Sequence, residues 1–297
     1  MEYIKAKTIV TNKKGGSSWF GTDYNMNIYR GCNHGCIYCD SRSECYGIDE
    51  FESVKPKENA LEIIRNDLRR KVKKGVVGMG AMSDPYNCLE KELMLTRHSL
   101  ELIDAYEFGV TIATKSDLIL RDIDILSIIK EHSPVLCKIT ITTPYDELSE
   151  KIEPNAPTSC KRFDVLKKLN ENNIFAGILL MPVLPFIEDD SKAICELVKK
   201  AYESGAEFIY PAFGMTLRDR QKFYYFEKLN ELFPDSGYVE KYIKKYGNAY
   251  VCTSPNVKKL WYEFRNLCEK YGILYNMKSI ISRYKRDYNT SQLSLFD

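Results

Sequence analysis

Residues 30–39 read Arg-Gly-Cys-Asn-His-Gly-Cys-Ile-Tyr-Cys and place three thiols, Cys32, Cys36 and Cys39, just after the β-rich run Tyr24 to Tyr29. Downstream of this segment, strands and helices alternate. Leu61, Ile64, Leu68 and Val72 recur at helical spacing, Gly75 stops that helix, and Val76 to Met79 reads as a strand. Leu95, Leu102, Ile103 and Tyr106 mark a second helix, followed by the β-rich Val110 to Thr114. Ile125, Ile128 and Ile129 mark a third, stopped before Pro134, and Val135 to Thr143 alternates as a strand. Val165, Leu166 and Leu169 give a fourth helix before the apolar strand Ile174 to Met181. Ile194, Leu197, Val198 and Ala201 give a fifth before Phe208 to Tyr210. Six strands separated by helices predict an α/β fold with a parallel sheet.

Working outward, residues 1–23 read as an irregular N-terminal segment and 24–213 as the βα core. Residues 214–284 read as a mostly helical C-terminal cap without intervening strands, and 285–297 as a mobile tail. At 297 residues, 44% hydrophobic and 28% charged, the chain is long enough for a sizeable core and too apolar to be disordered. With 43 Lys+Arg against 41 Asp+Glu the net charge is +2, which excludes a function resting on bulk basicity. The start, MEYIKAKTIV, has no apolar signal-peptide core. The longest near-apolar run, Phe175 to Leu184, contains Pro182 and is about half the ~20 residues that a spanning helix needs. No membrane association and a cytoplasmic location are expected. Ten cysteines in a reducing compartment ask for a role other than disulfides.

Three close thiolates suit either zinc or an iron–sulfur cluster. A structural zinc takes four closed ligands, and Cys45 would complete such a set only at a spacing unlike common zinc ribbons. A four-iron cluster on three thiolates leaves one iron open to a small chelating molecule. Gly31 and Gly35 let the loop wrap closely around such a group. On the Val135–Thr143 strand, Cys137, Ile139 and Ile141 face one way, and Lys138, Thr140 and Thr142 the other. A polar row inside a covered parallel sheet suggests a ligand-lined lumen.

The C-x3-C-x2-C spacing, with Tyr38 before the third cysteine, resembles the signature of the radical S-adenosylmethionine (SAM) superfamily. The resemblance implies a partial (βα)6 TIM-type barrel with a [4Fe-4S] cluster on Cys32, Cys36 and Cys39. The fourth iron would be chelated by S-adenosylmethionine, whose reductive cleavage yields a 5′-deoxyadenosyl radical. Further stretches resemble the spore-photoproduct-lyase-like branch: Tyr29-Arg30-Gly31-Cys32, Met82 to Tyr86, Thr114-Lys115, Ile141 to Thr143, and Glu153 to Pro157 followed by Arg162. By that likeness Ser83 contacts the cofactor's methionyl part, Lys115 its carboxylate, and Tyr38 packs near its adenine. Asp84, Thr140, Thr142 and Arg162 are assigned to the same cofactor site, and a reduced donor of flavodoxin or ferredoxin type is implied. The likeness fails at Ala81, where that lyase has a cysteine that returns hydrogen to product. Cys88, Tyr86 and Tyr145 are candidate relay groups in its place.

Two basic stretches, Arg65 to Lys74 and Lys278 to Arg286, suit phosphate contacts or, equally, solvated helix ends. At the C-terminus Gln292-Leu293-Ser294-Leu295-Phe296 resembles the peptide by which bacterial polymerases and repair enzymes dock on the DNA sliding clamp. Gln292, Leu293, Leu295 and Phe296 would be its contacts. Together these signals favour DNA as substrate, by spore-photoproduct-lyase-like repair. The rivals are the same chemistry on RNA or a small metabolite, and a non-catalytic metal-binding accessory protein at the replication clamp.

Overall fold

A computed structural model of the chain describes residues 1–13 and 19–288. Six parallel strands, Tyr24–Met26, Val76–Met79, Gly109–Thr114, Val135–Thr140, Ala176–Leu180 and Ile209–Pro211, lie side by side in chain order. Sequential order with a helical crossover between neighbours is the topology of a partial (βα)6 barrel. The segment expected to be irregular adds a seventh strand. Val10–Asn12 pairs antiparallel with Tyr24–Met26 and covers that edge.

Alternation assigns the two sides of the sheet. Val77, Met79, Val110, Ile112, Cys137, Ile139, Ile178 and Ile209 face the helices and form one continuous apolar layer with them. Each fully buried Ile or Leu in such a layer contributes roughly 1.5–3 kcal/mol. The helix Ala60–Arg69 buries Ala60, Ile64 and Leu68 but closes before Val72, which is fully exposed. Helix Ser191–Glu203 starts where the Asp190 side chain accepts the Ala193 N–H at 3.0 Å.

The other side of the sheet is the lumen. Leu136, Lys138 and Thr140 point into it beside Thr111 and Leu179, in the register Lys138↔Ala113 and Lys138↔Gly177. Its lower half is filled. Phe20, Leu136, Leu179, Phe208, Ile280 and Tyr284 pack there as one cluster. The last two residues belong to the helix Met277–Lys285, which closes the open side of the barrel. Leu274 bridges to Phe208, with Ile209 N–H donating to Leu274 O at 2.8 Å.

The C-terminal part therefore differs from the expectation in three ways. Met277–Lys285 plugs the barrel and does not cap it. Between the helices a strand pair forms, Gly214–Thr216 with Val251–Thr253, where the sequence pattern showed only helix. A three-residue strand is too short to show periodicity. Residues 285–288, expected to be tail, continue as a helix end and a 3-10 turn, with the Tyr288 hydroxyl bonded to Lys130 O. Among the described residues no helix is long and apolar enough to cross a membrane.

Candidate functional site

In a parallel barrel the C-terminal strand ends share one rim. Here the cysteine loop, Gly80 to Asp84, Lys115, Ile141 to Thr143 and Met181-Pro182 all follow strand ends at that rim. The loop holding Cys32, Cys36 and Cys39 is fixed by backbone bonds from Cys32 N–H to Phe51 O (2.8 Å) and from Ile37 N–H to Ile152 O (3.0 Å). Gly31 has a φ of +83°, and a Cβ there would lie 2.7 Å from Phe51 O, so only glycine fits.

Beneath the loop lies a buried ionic network. Glu153 accepts from the Tyr38 hydroxyl and from Arg162 Nη2, and Lys115 Nζ lies 3.7 Å from it. Arg162 Nη1 donates to Thr140 O at 2.8 Å, and its side chain is only 1% exposed. Burial alone would raise the Glu153 carboxyl, but Arg162, Lys115 and Tyr38 hold it below the usual carboxylate range. A second knot forms around Asp84. It accepts from Thr114 Oγ1 (2.7 Å), Lys115 N–H (2.9 Å) and Tyr86 N–H (2.9 Å), and pairs with His34 Nε2 at 3.0 Å. Burial opposes its ionisation, yet His34 and these donors lower its pKa. Ser83 Oγ donates to Gly31 O at 2.5 Å and ties the second strand's loop to the cysteine loop.

Above the rim opens a cavity of about 560 Å³. Tyr38, Cys39 and Ala81 line its inner end; Phe213, Val251 and Trp261 line its outer end. The strand pair and the helix Asp219–Leu232 hold this wall against the cysteine loop. Gln221 Nε2 donates to Tyr38 O (3.2 Å), Asp40 accepts from Arg218 (2.7 Å) and Thr216 (2.9 Å), and Arg220 Nε donates to Arg42 O (2.8 Å).

Comparison with known proteins fits this geometry. The family model described as the Radical SAM superfamily matches residues 26–198, more than half of the chain. The chain belongs to the radical SAM superfamily. Uncharacterized proteins from Methanocaldococcus jannaschii and Mycobacterium tuberculosis are similar to it, at 38% identity over 57% of this chain and 63% of the first, and 27% over 66% and 59% for the second. The chain thus spans about three-fifths of the length of these relatives. Two solved structures share its fold. One is spore photoproduct lyase complexed with dinucleoside spore photoproduct (TM-score 0.62, 14% identity, 88% of this chain and 76% of that one). The other is a variant of that lyase with bound AdoMet and the same dinucleoside (TM-score 0.63, with the same identity and coverage).

Membership in the radical SAM superfamily implies a [4Fe-4S] cluster and S-adenosylmethionine, and the donor chemistry here fits them. Burial pushes the Cys32, Cys36 and Cys39 thiols up to about 11, 12 and 11, so iron must displace their protons. Lys115 and Arg162 oppose that rise at Cys36 and supply cations beside an anionic group. Among the described residues no three His, Cys, Asp or Glu side chains converge on one metal ion. A cluster bound by one thiolate per iron needs no such convergence. Burial pushes the Glu188 carboxyl up to about 8, with Thr142 beside it pulling the other way.

The structure redistributes the expected roles. Tyr38, Ser83, Lys115 and the three cysteines come together at the rim. Asp84 and Arg162, expected to touch the cofactor, are paired with protein groups, Asp84 with His34 and Arg162 with Glu153. The Thr140 carbonyl accepts from Arg162. Tyr86 is corrected: it is buried in the helix-side layer next to Asp122, away from the cavity. Tyr145 is exposed beside Glu196 and is not among the residues that line the cavity. Cys88 is exposed and is absent from the cavity lining, whereas Ala81 lies in it. The ligand-lined lumen is corrected at Lys138, where Phe20 packs under the ammonium at 4.8 Å.

No residue of either basic stretch lines the cavity. Lys73 and Lys74 precede the N-terminal end of the Val76–Met79 strand, and Lys285 Nζ donates to Gly21 O. Gln292, Leu293, Leu295 and Phe296 lie outside the described residues. Glu153, Glu188 and Gln221 went unassigned in the sequence. Only Glu153 carried a signal, its place in the Glu153–Pro157 run.

Proposed function

We propose that this chain is a radical SAM enzyme acting on DNA, with a damaged pyrimidine as its target. The observation that carries the reading is the cavity, which runs from the cysteine loop at Tyr38 and Cys39 to an aromatic wall at Trp261. When bound, S-adenosylmethionine at the cluster supplies a 5′-deoxyadenosyl radical that abstracts hydrogen. Cys32, Cys36 and Cys39 would hold the cluster, with Lys115 as the cation beside it. Ser83 and Lys115 would orient the cofactor's methionyl end, and Tyr38 would wall its adenine. Met181, Pro182, Pro211 and Met215 give the path between an apolar lining. Residues 24–213 then generate the radical, and the segment after 213 presents the substrate. Extrusion of a base from its stack into the cavity would bring it to the radical. The fold shared with spore photoproduct lyase supports this reading. Ala81 in the cavity argues for a different hydrogen-return route.

A reduced flavodoxin- or ferredoxin-type donor would serve the cluster, and the Gln292–Phe296 peptide would tether the enzyme to a bacterial sliding clamp. Ten free thiols suit work in the cytoplasm. The test is anaerobic reconstitution followed by measurement of 5′-deoxyadenosine. Ultraviolet-damaged DNA should stimulate its formation and RNA should not; stimulation by RNA alone would transfer the reading to RNA. Clamp pull-down should be lost on Gln292→Ala/Phe296→Ala, and equal recovery sinks the tether.

A further inference from the structure

Neither basic stretch lines the cavity, so a DNA strand needs another path to it. We propose that the exposed face of the helix Val257–Tyr271 is a docking surface for single-stranded DNA, with Trp261 as the base-stacking platform. This rests on the DNA reading above and names the residues that would hold the strand.

Lys258, Trp261, Tyr262 and Arg265 stand at i, i+3, i+4 and i+7, which places them on one face of the helix. Leu260, Phe264 and Cys268 occupy the buried face. Trp261 is 39% exposed and Tyr262 63%, and adjacent large aromatics left in water mark a binding surface more often than a core. The indole cannot fold inward. Phe213 and Phe264 meet it edge-on at 5.4 and 5.7 Å. Its free side borders the cavity, as does Val257 in the first turn.

The face is thus continuous with the space that leads to Tyr38 and Cys39. Lys258 has no ion pair among the described residues, and Arg265 has only a loose one, 3.7 Å from Glu269. Cations flanking aromatics at a rim suit a polyanion whose bases have open π-faces. Phosphates would meet Lys258 and Arg265, and a base would stack on Trp261. A purely apolar partner would leave both cations buried and unpaired.

Trp19→Phe leaves Trp261 as the sole tryptophan, so its emission reports the platform. Reconstituted full-length protein is titrated with a labelled oligonucleotide of about 12 nucleotides, roughly one site length. Trp261 emission should change on binding. Trp261→Ala should weaken binding about tenfold, while Trp261→Phe, which still stacks, retains most of it. Lys258→Glu/Arg265→Glu should flatten the salt dependence by about 1.4 in log–log slope. Thermal melts show whether each variant is folded. Binding that ignores all three variants, with Trp261 emission unmoved, overturns the docking surface and leaves the DNA reading standing. No binding to any form, together with no stimulation of cofactor cleavage by damaged DNA, overturns both. Self-association of the protein alone that Trp261→Ala abolishes would assign the face to a second copy and overturn the proposal.

Discussion

Two lysines, Lys138 on a strand and Lys115 just past the end of its neighbour, have their pKa values pushed in opposite directions. Lys115 stands at the rim and Lys138 halfway down the lumen, with Lys138 paired in register to Ala113, two residues before Lys115. Burial lowers the pKa of both. At Lys115 the Cys36 thiol and Glu153 outweigh burial, and the pKa is raised. At Lys138 burial prevails and the pKa falls to about 7. Its contacts are Thr111 Oγ1 at 3.3 Å and the Phe20 ring. Depth in the barrel does not decide the charge; the partners do. The rim is a set of ion pairs built around thiols, whereas the lower lumen is aromatic packing that strands one lysine.

The sharpest way to break that comparison is to remove a thiol. Cys36→Ala should abolish the cluster, read as iron content and visible absorbance after anaerobic reconstitution, while Lys138→Met should retain both. Equal iron loss in the two variants would mean the lower lumen also serves the cluster. Next in size is Arg162→Met. It leaves Glu153 buried without its strongest partner and should cost about 3–5 kcal/mol in urea denaturation. Adding Glu153→Gln should recover part of that loss, because the stranded carboxylate is removed and only Lys115 is left without its partner. A single variant costing under about 1 kcal/mol would show that Lys115 and Tyr38 hold Glu153 unaided.

The rim was more legible in the sequence than the lower lumen, for a physical reason. The three cluster ligands come from one short loop, so Cys32, Cys36 and Cys39 are close in the chain as well as in space. Parallel strands carry their own periodicity, and the alternation of Lys138 and Thr140 against Cys137 and Ile139 placed that strand's two faces correctly. The lumen filling joins Phe20, Phe208 and Tyr284, which no local pattern links. The pairing of Gln221 with Tyr38 O spans the chain in the same way. Residues such as Asp84 read as cofactor contacts because their motif names a site; only coordinates show that His34 and Thr114 have taken up the carboxylate.

The last test uses the sign of the Lys138 shift. Its ordinary value is 10.5 and its folded value about 7, so between these pH values the unfolded chain binds the extra proton. Stability from this residue must therefore rise with pH across that window. Below about pH 7 the ammonium is charged in both states and the folded protein bears the full cost of desolvating it. Lys138→Met removes the charge and keeps an unbranched side chain against Phe20. The Thr111 hydroxyl loses a partner, which offsets part of the gain. The variant should be more stable than the parent by about 2 kcal/mol at pH 6. The advantage should shrink by roughly 2–3 kcal/mol on going to pH 9, where the parent's lysine is neutral when folded. Urea titrations of the two proteins at several pH values measure this directly. A constant difference across the range would mean that Lys138 stays protonated in the folded protein, and the contrast between the two lysines would then collapse.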